Sequence, residues 1–186
     1  MSSSTFAKLS GLMLCLSGTV YIADTGLDTF APHLSPGLGA LVPLCGLVGF
    51  PGFWLSLRTQ TGLALAAYGM GILGLAGLVV VTFLGNRLFA DLPPQITGQI
   101  ITATGPELAT IGGIFLISAL LLLPVCWTAG GINRLGAGLY AIGAIPVSLP
   151  PLMPDWLVTT GGIAVATGLL CWGAGLLRGE GLHSRP

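Results

Sequence analysis

Apolar runs, broken by charged residues and by Pro/Gly clusters, fill this chain from end to end. They separate into six segments, residues 6–24, 35–57, 60–85, 107–129, 135–152 and 156–177. A helix needs roughly 20 apolar residues to cross the hydrocarbon core of a bilayer, and the segments lie near that length. The fifth is the weakest, because its apolar stretch is short and Pro146, Pro150, Pro151 and Pro154 interrupt its end. At about 1.5 Å per residue that stretch falls short of the core as regular helix. The pattern predicts a single all-α domain over residues 1–186, a polytopic integral membrane protein with six transmembrane helices.

The polar positions orient these helices. With the amino terminus in the cytoplasm, one side collects Lys8, Arg58, Arg134, Arg178 and Arg185, with Glu180 as its acid. The other collects Asp24, Asp28, Asp91, Glu107 and Asp155, with Arg87 as its base. Lys and Arg favour the cytoplasmic side of short loops, so both termini are expected inside. Residues 1–23 also carry the pattern of a secretory leader, Lys8 followed by an apolar run. Tyr21, however, stands three before a cut after Ala23, where a small residue is needed. The segment is expected to remain as the first helix.

One ending recurs: a Trp, a few small or apolar residues, then an Arg. It appears as Trp54…Arg58, Trp127…Arg134 and Trp172…Arg178, the last two each preceded by a Cys. Three segments also begin with a base followed shortly by Gly-Leu, at Gly11-Leu12, Gly62-Leu63 and Gly138-Leu139. Three helical hairpins in parallel orientation would explain both recurrences. Generic Trp and Arg flanking of membrane helices would explain them as well. On either account the three Trp/Arg pairs are expected to be anchors at the inner interface.

Outside the spans, the longest connection is the outer loop 86–106, where Ile96, Ile100 and Ile101 stand among Gln and Thr. These residues are placed to make a short helix lying in the membrane interface. Pro43, Pro51, Pro124 and Pro146 should bend their helices or free carbonyls.

Composition narrows the chemistry. Only 6% of residues are charged against 53% hydrophobic, the mean hydropathy is +0.94, and the formal net charge is zero. Soluble domains carry about 25% charged residues, so lipid must be the main solvent. A neutral chain has no basic face for nucleic acid. The 30 glycines are about twice the usual share, and small residues let helix backbones approach closely in lipid. Ala67/Gly71/Gly74, Ala137/Ala141 and Ala164/Gly168 have the spacing for helix packing, inside the bundle by default or against a partner.

No motif for catalysis appears. Cys15, Cys45, Cys126 and Cys171 lie in apolar runs without a C-x-x-C pair, which suits small buried hydrophobes better than a metal site. His33 and His183 are far apart along the chain, unlike a bis-histidine haem pair. Asp24, Asp28, Asp91 and Asp155 share a membrane level and are the candidates for an outer acidic cluster. Acids marking the outer interface would produce the same pattern. No ionisable residue falls at the middle of a span, which disfavours ion-coupled transport.

The expected function is a non-catalytic membrane subunit, in a bacterial-type inner or cytoplasmic membrane. It would pack against other integral membrane subunits of a larger complex, or around bound lipid or pigment; no specific cofactor is identifiable. The alternative is a small channel or facilitator for a neutral or small solute. A weaker idea is a lipid-acting enzyme that uses the outer acids.

Overall fold

The computed structural model describes residues 3–30, 37–57, 61–129 and 131–179. Among them are seven α-helices and no strand: α1 (Ser3–Phe30), α2 (Leu41–Ser56), α3 (Gly62–Phe83), α4 (Pro94–Ala103), α5 (Gly105–Ala129), α6 (Gly131–Ser148) and α7 (Asp155–Leu177). Short 3₁₀ turns precede α2 (Leu38–Ala40), follow α3 (Phe89–Asp91) and follow α6 (Pro150–Leu152). A π-helical turn, Leu84–Leu88, prolongs α3.

Local chemistry sets several of these limits. The Thr61 hydroxyl accepts from the Ala64 N–H and caps α3. Pro94 and Pro154 lie where a missing N–H costs nothing, at the first turn of α4 and just before α7. Gly179, with φ 77°, stops α7 in a left-handed conformation that favours glycine. Pro51, Pro124 and Pro146 sit inside α2, α5 and α6, which continue through them.

Six of the helices form a closed ring. In the order α1, α2, α3, α5, α6, α7 each packs on the next, and α7 closes back onto α1. Every neighbouring pair is antiparallel. Ser17 meets α2 at Val42 while Ser10 meets it at Gly52; α3 passes α5 with Gly74 at Phe115 and Gly77 at Ile111; Gly11 faces Gly173 and Gly18 faces Ala166. An up-and-down ring of six puts its three hairpins in one orientation whether or not the sequence repeats.

Glycine makes the ring tight. A Cβ on Gly173 would stand 2.7 Å from the Gly11 carbonyl oxygen, and one on Gly168 2.7 Å from the Gly136 carbonyl oxygen. Lipid tails are as apolar as Leu, so close backbone approach replaces the hydrophobic drive that water supplies to soluble bundles.

Five segments are long and apolar enough to cross a membrane: Ser4–Phe30, Leu38–Ser56, Gly62–Leu88, Gly105–Thr128 and Asp155–Leu177. α6, with 18 residues, is not among them. Asn133 and Arg134 lie in its first turn, which shortens the apolar part. Other limits also differ from the expected ones. α1 runs past Asp24 and Asp28 to Phe30, and the loop 86–106 contains the whole of α4.

Candidate functional site

Aromatic side chains from several helices of the ring pack against one another. Phe53 on α2 stacks on Trp172 of α7 at 4.2 Å between ring centroids, and Trp172 meets Tyr140 of α6 at 4.9 Å. Tyr140 meets Phe115 of α5 edge-on at 5.6 Å. Phe50 joins from α2 and stacks on Tyr68 of α3. Phe50, Phe53, Phe115, Tyr140 and Trp172 are all buried. Five helices thus contribute rings to one continuous centre, and two of the polar groups that reach it are tied to backbone. The Trp172 indole N–H donates to the Asn133 carbonyl at 3.2 Å, and the buried Ser118 hydroxyl donates to the Ala67 carbonyl at 2.9 Å. Ser17 donates to the Val42 carbonyl at 2.6 Å, joining α1 to α2. These three hydrogen bonds satisfy donors that would be costly to leave free in an apolar setting, whereas the buried Trp54 indole N–H has no partner among the described residues.

The three recurring tryptophans occupy three different environments. Trp127 is 54% exposed on α5. The Arg134 guanidinium lies 4.9 Å from its ring centre and donates through Nε and Nη2 to the Trp127 carbonyl, at 3.2 and 2.9 Å. That carbonyl belongs to the last turn of α5, where no helical N–H follows to satisfy it. Trp54 is half-buried and stacks on Tyr68. Trp172 is fully buried, so it is a core residue and cannot anchor at a lipid interface. The repeated glycines differ in the same way. Gly11 is pressed against α7, while Gly62 and Gly138 face open space. Arg178 follows α7 and is exposed; Arg58 lies outside the described residues.

Every small residue singled out from its spacing touches another helix of the ring or is buried in it. Ala67, Ala137 and Ala141 are buried. Gly71 faces Phe50 and Ser118, Gly74 faces the Phe115 backbone, and Gly168 faces Gly136 and Tyr140. The half-buried Ala164 faces Gly143.

Lys8, Arg134 and Arg178 all lie at one end of the bundle, given the antiparallel registers. Asp24, Asp28, Asp91, Glu107, Asp155 and Arg87 lie at the other. Glu107 and Asp155 are in the first turns of α5 and α7, where a carboxylate suits the helix dipole. Asp24 is buried, and its Oδ1 accepts from the Leu38 N–H at 3.2 Å. Leu38 opens the turn into α2 behind Gly37, which has φ 61° and no side chain to cap with. Asp24 therefore caps the entry to α2 from a neighbouring helix, a role that spacing along the sequence did not reveal. Asp28, Asp91 and Asp155 are exposed. Among the described residues no three His, Cys, Asp or Glu side chains converge to hold a metal. His33 and His183 lie outside them.

Cys15, Cys45, Cys126 and Cys171 are free thiols within the helices. Comparison with family models, with curated proteins and with solved structures finds no match to this chain.

Proposed function

We propose that the chain is a non-catalytic membrane subunit with six spans and both termini in the cytoplasm, packed against other integral membrane subunits or around bound lipid or pigment. The observation that carries this reading is the aromatic centre. Phe53, Trp172, Tyr140 and Phe115 pack ring against ring across the bundle, in the space where a solute path or a buried reaction site would have to run. What the chain offers outward is apolar helix surface, including Leu65, Leu73, Val80, Leu135 and Ile142. The five long apolar helices support a multi-pass membrane protein. The sixth crossing, by α6, rests on its register. α6 runs beside α7 from Gly136–Gly168 to Gly143–Gly161, between two neighbours that are long enough to cross. The inside-positive orientation rests on the separation of bases from acids.

Purification in a mild detergent, with crosslinking in the native membrane beforehand, tests the subunit reading. Co-purifying membrane proteins or a bound lipid-like molecule at fixed stoichiometry are expected. A lone monomer with neither would overturn it. The channel alternative meets the filled centre as its obstacle, and reconstituted vesicles should show no flux of neutral solutes or small ions above empty ones.

A further inference from the structure

Five of the six seams of the ring are closed by a glycine set against the backbone of the next helix. A Cβ on Gly49 of α2 would stand 2.8 Å from the Ser10 carbonyl oxygen of α1. One on Gly74 of α3 would stand 2.9 Å from the Phe115 Cα of α5, and one on Gly112 of α5 2.7 Å from the Ser148 carbonyl oxygen of α6. Gly143 meets Gly161 across α6 and α7, and Gly11 meets Gly173 across α1 and α7. Between α2 and α3 no such contact occurs among the described residues. Glycines at that seam face side chains instead: Gly46 faces Leu75, and Gly71 faces the Phe50 ring. These two helices also approach each other least extensively of the six neighbouring pairs.

Rings fill the seam. Phe50 and Trp54 of α2 lie on Tyr68 of α3, at 5.9 and 4.7 Å between ring centroids. A backbone carbonyl yields only when its helix moves, whereas a side chain yields by turning about its own bonds. The seam also holds the Trp54 indole N–H, which is buried and has no acceptor among the described residues. An unmet donor in an apolar setting raises the energy of the closed arrangement. Pro51 stands between the two α2 rings, so the Leu47 carbonyl lacks its helical N–H and α2 bends most readily there.

Both ends of the seam are tied. The short connection 57–61 joins the helices at the basic end. At the acidic end the Asn86 side chain presses on Gly39, in the turn before α2. Any parting is therefore confined to the middle. Gly46 lies opposite Leu75 and Phe50 opposite Gly71, which puts Val48 and Leu73 at that level.

We infer that the ring parts laterally between α2 and α3, opening a window in its wall at Val48 and Leu73 while the other five seams stay shut. Phe50 and Trp54 stay with α2, which Gly49 holds to α1, and Tyr68 moves away with α3, which Gly74 holds to α5. Behind the window lies Phe50, and behind Phe50 the stack of Phe53 on Trp172. The inference rests on the packing of the ring and not on the subunit reading, so either can fail alone.

The full-length protein in phospholipid nanodiscs is given two nitroxides on p-acetylphenylalanine, which leaves the native cysteines untouched. One pair is Val48 with Leu73, across α2 and α3. Two control pairs share one label each with it: Val48 with Leu16 across α1 and α2, and Leu73 with Ile117 across α3 and α5. These four side chains are between 43% and 63% exposed, and narrow control distributions show that the labelled protein has folded. Double electron–electron resonance is expected to give a Val48–Leu73 distance distribution about twice as broad as either control. A distribution no broader than the controls would overturn the inference. Three equally broad ones would overturn it too, because the glycine seams would then hold no better than this one. Gly49→Ala supplies the converse. Its methyl meets the Ser10 carbonyl, and the Val48–Leu16 distribution should broaden to match that of Val48–Leu73. An unchanged Val48–Leu16 distribution would show that glycine contact does not decide which seam holds, and would remove the ground for a window between α2 and α3.

Discussion

Gly143 on α6 and Gly161 on α7 meet backbone to backbone. A Cβ on Gly143 would fall on the Gly161 carbonyl oxygen, and one on Gly161 would stand 2.9 Å from the Gly143 carbonyl oxygen. Neither carbonyl can move without moving its helix. Gly143→Val should therefore force α6 and α7 apart and lower stability by about 1–3 kcal/mol, the usual range for overpacking. Gly138→Ala, on the same helix but facing open space, should change it by less than about 1 kcal/mol. Unfolding of both variants in mixed micelles, followed by circular dichroism, checks the contrast; equal effects would contradict the packing.

The tryptophans should separate in the same assay. Trp172→Ala empties the centre of the aromatic stack. Much of the transfer cost falls away when the surroundings are lipid, but the cavity remains, so a loss of about 2–4 kcal/mol is expected. Trp127→Ala removes an exposed ring and the Arg134 contact over it, and should cost less than about 1 kcal/mol. Matching losses would mean that Trp172 is not in the core.

Asp24 distinguishes a structural carboxylate from a chemical one. Asp24→Ala removes the acceptor for the Leu38 N–H and should cost about 1 kcal/mol, as the loss of a helix cap does. Asp24→Asn keeps an acceptor oxygen and should recover most of that. A variant Asn protein as unstable as the Ala one would show that the charge, not the cap, is what matters.

Reporter fusions decide whether α6 crosses. Tags placed after Arg134 and after Met153 should report opposite sides of the membrane, with the tag after Asp91 on the same side as that after Met153. Agreement between the Arg134 and Met153 tags would leave five spans.

The helices were legible because length, apolarity and the position of charges are properties of the chain itself. Even α4 showed in its isoleucine spacing. What a side chain meets was less legible, because that depends on helix rotation. The short motif around Trp172 reads like the one around Trp127, yet one ring points inward and the other outward. Phe53 and Gly136, remote in sequence, decide it by offering a ring to stack on and room to lie in. The cap from Asp24 was hidden for a similar reason: its partner Leu38 lies on the next element, and the need arises from a glycine in between. The limits of α1 and α6 differ from the expected ones because Asp24 and Arg134 mark where an apolar run stops, whereas a helix carries such residues readily near its ends.

The closure of the ring by α7 on α1 also fixes an order of events. A ribosome delivers α1 first and α7 last. The face of α1 bearing Gly11, Cys15 and Gly18, which α7 covers in the finished bundle, has no native partner until residue 155 onward has entered the membrane. Until α7 is in place the ring is an open arc. That helix completes both the α1 seam and the aromatic centre, so the native core cannot form before it arrives.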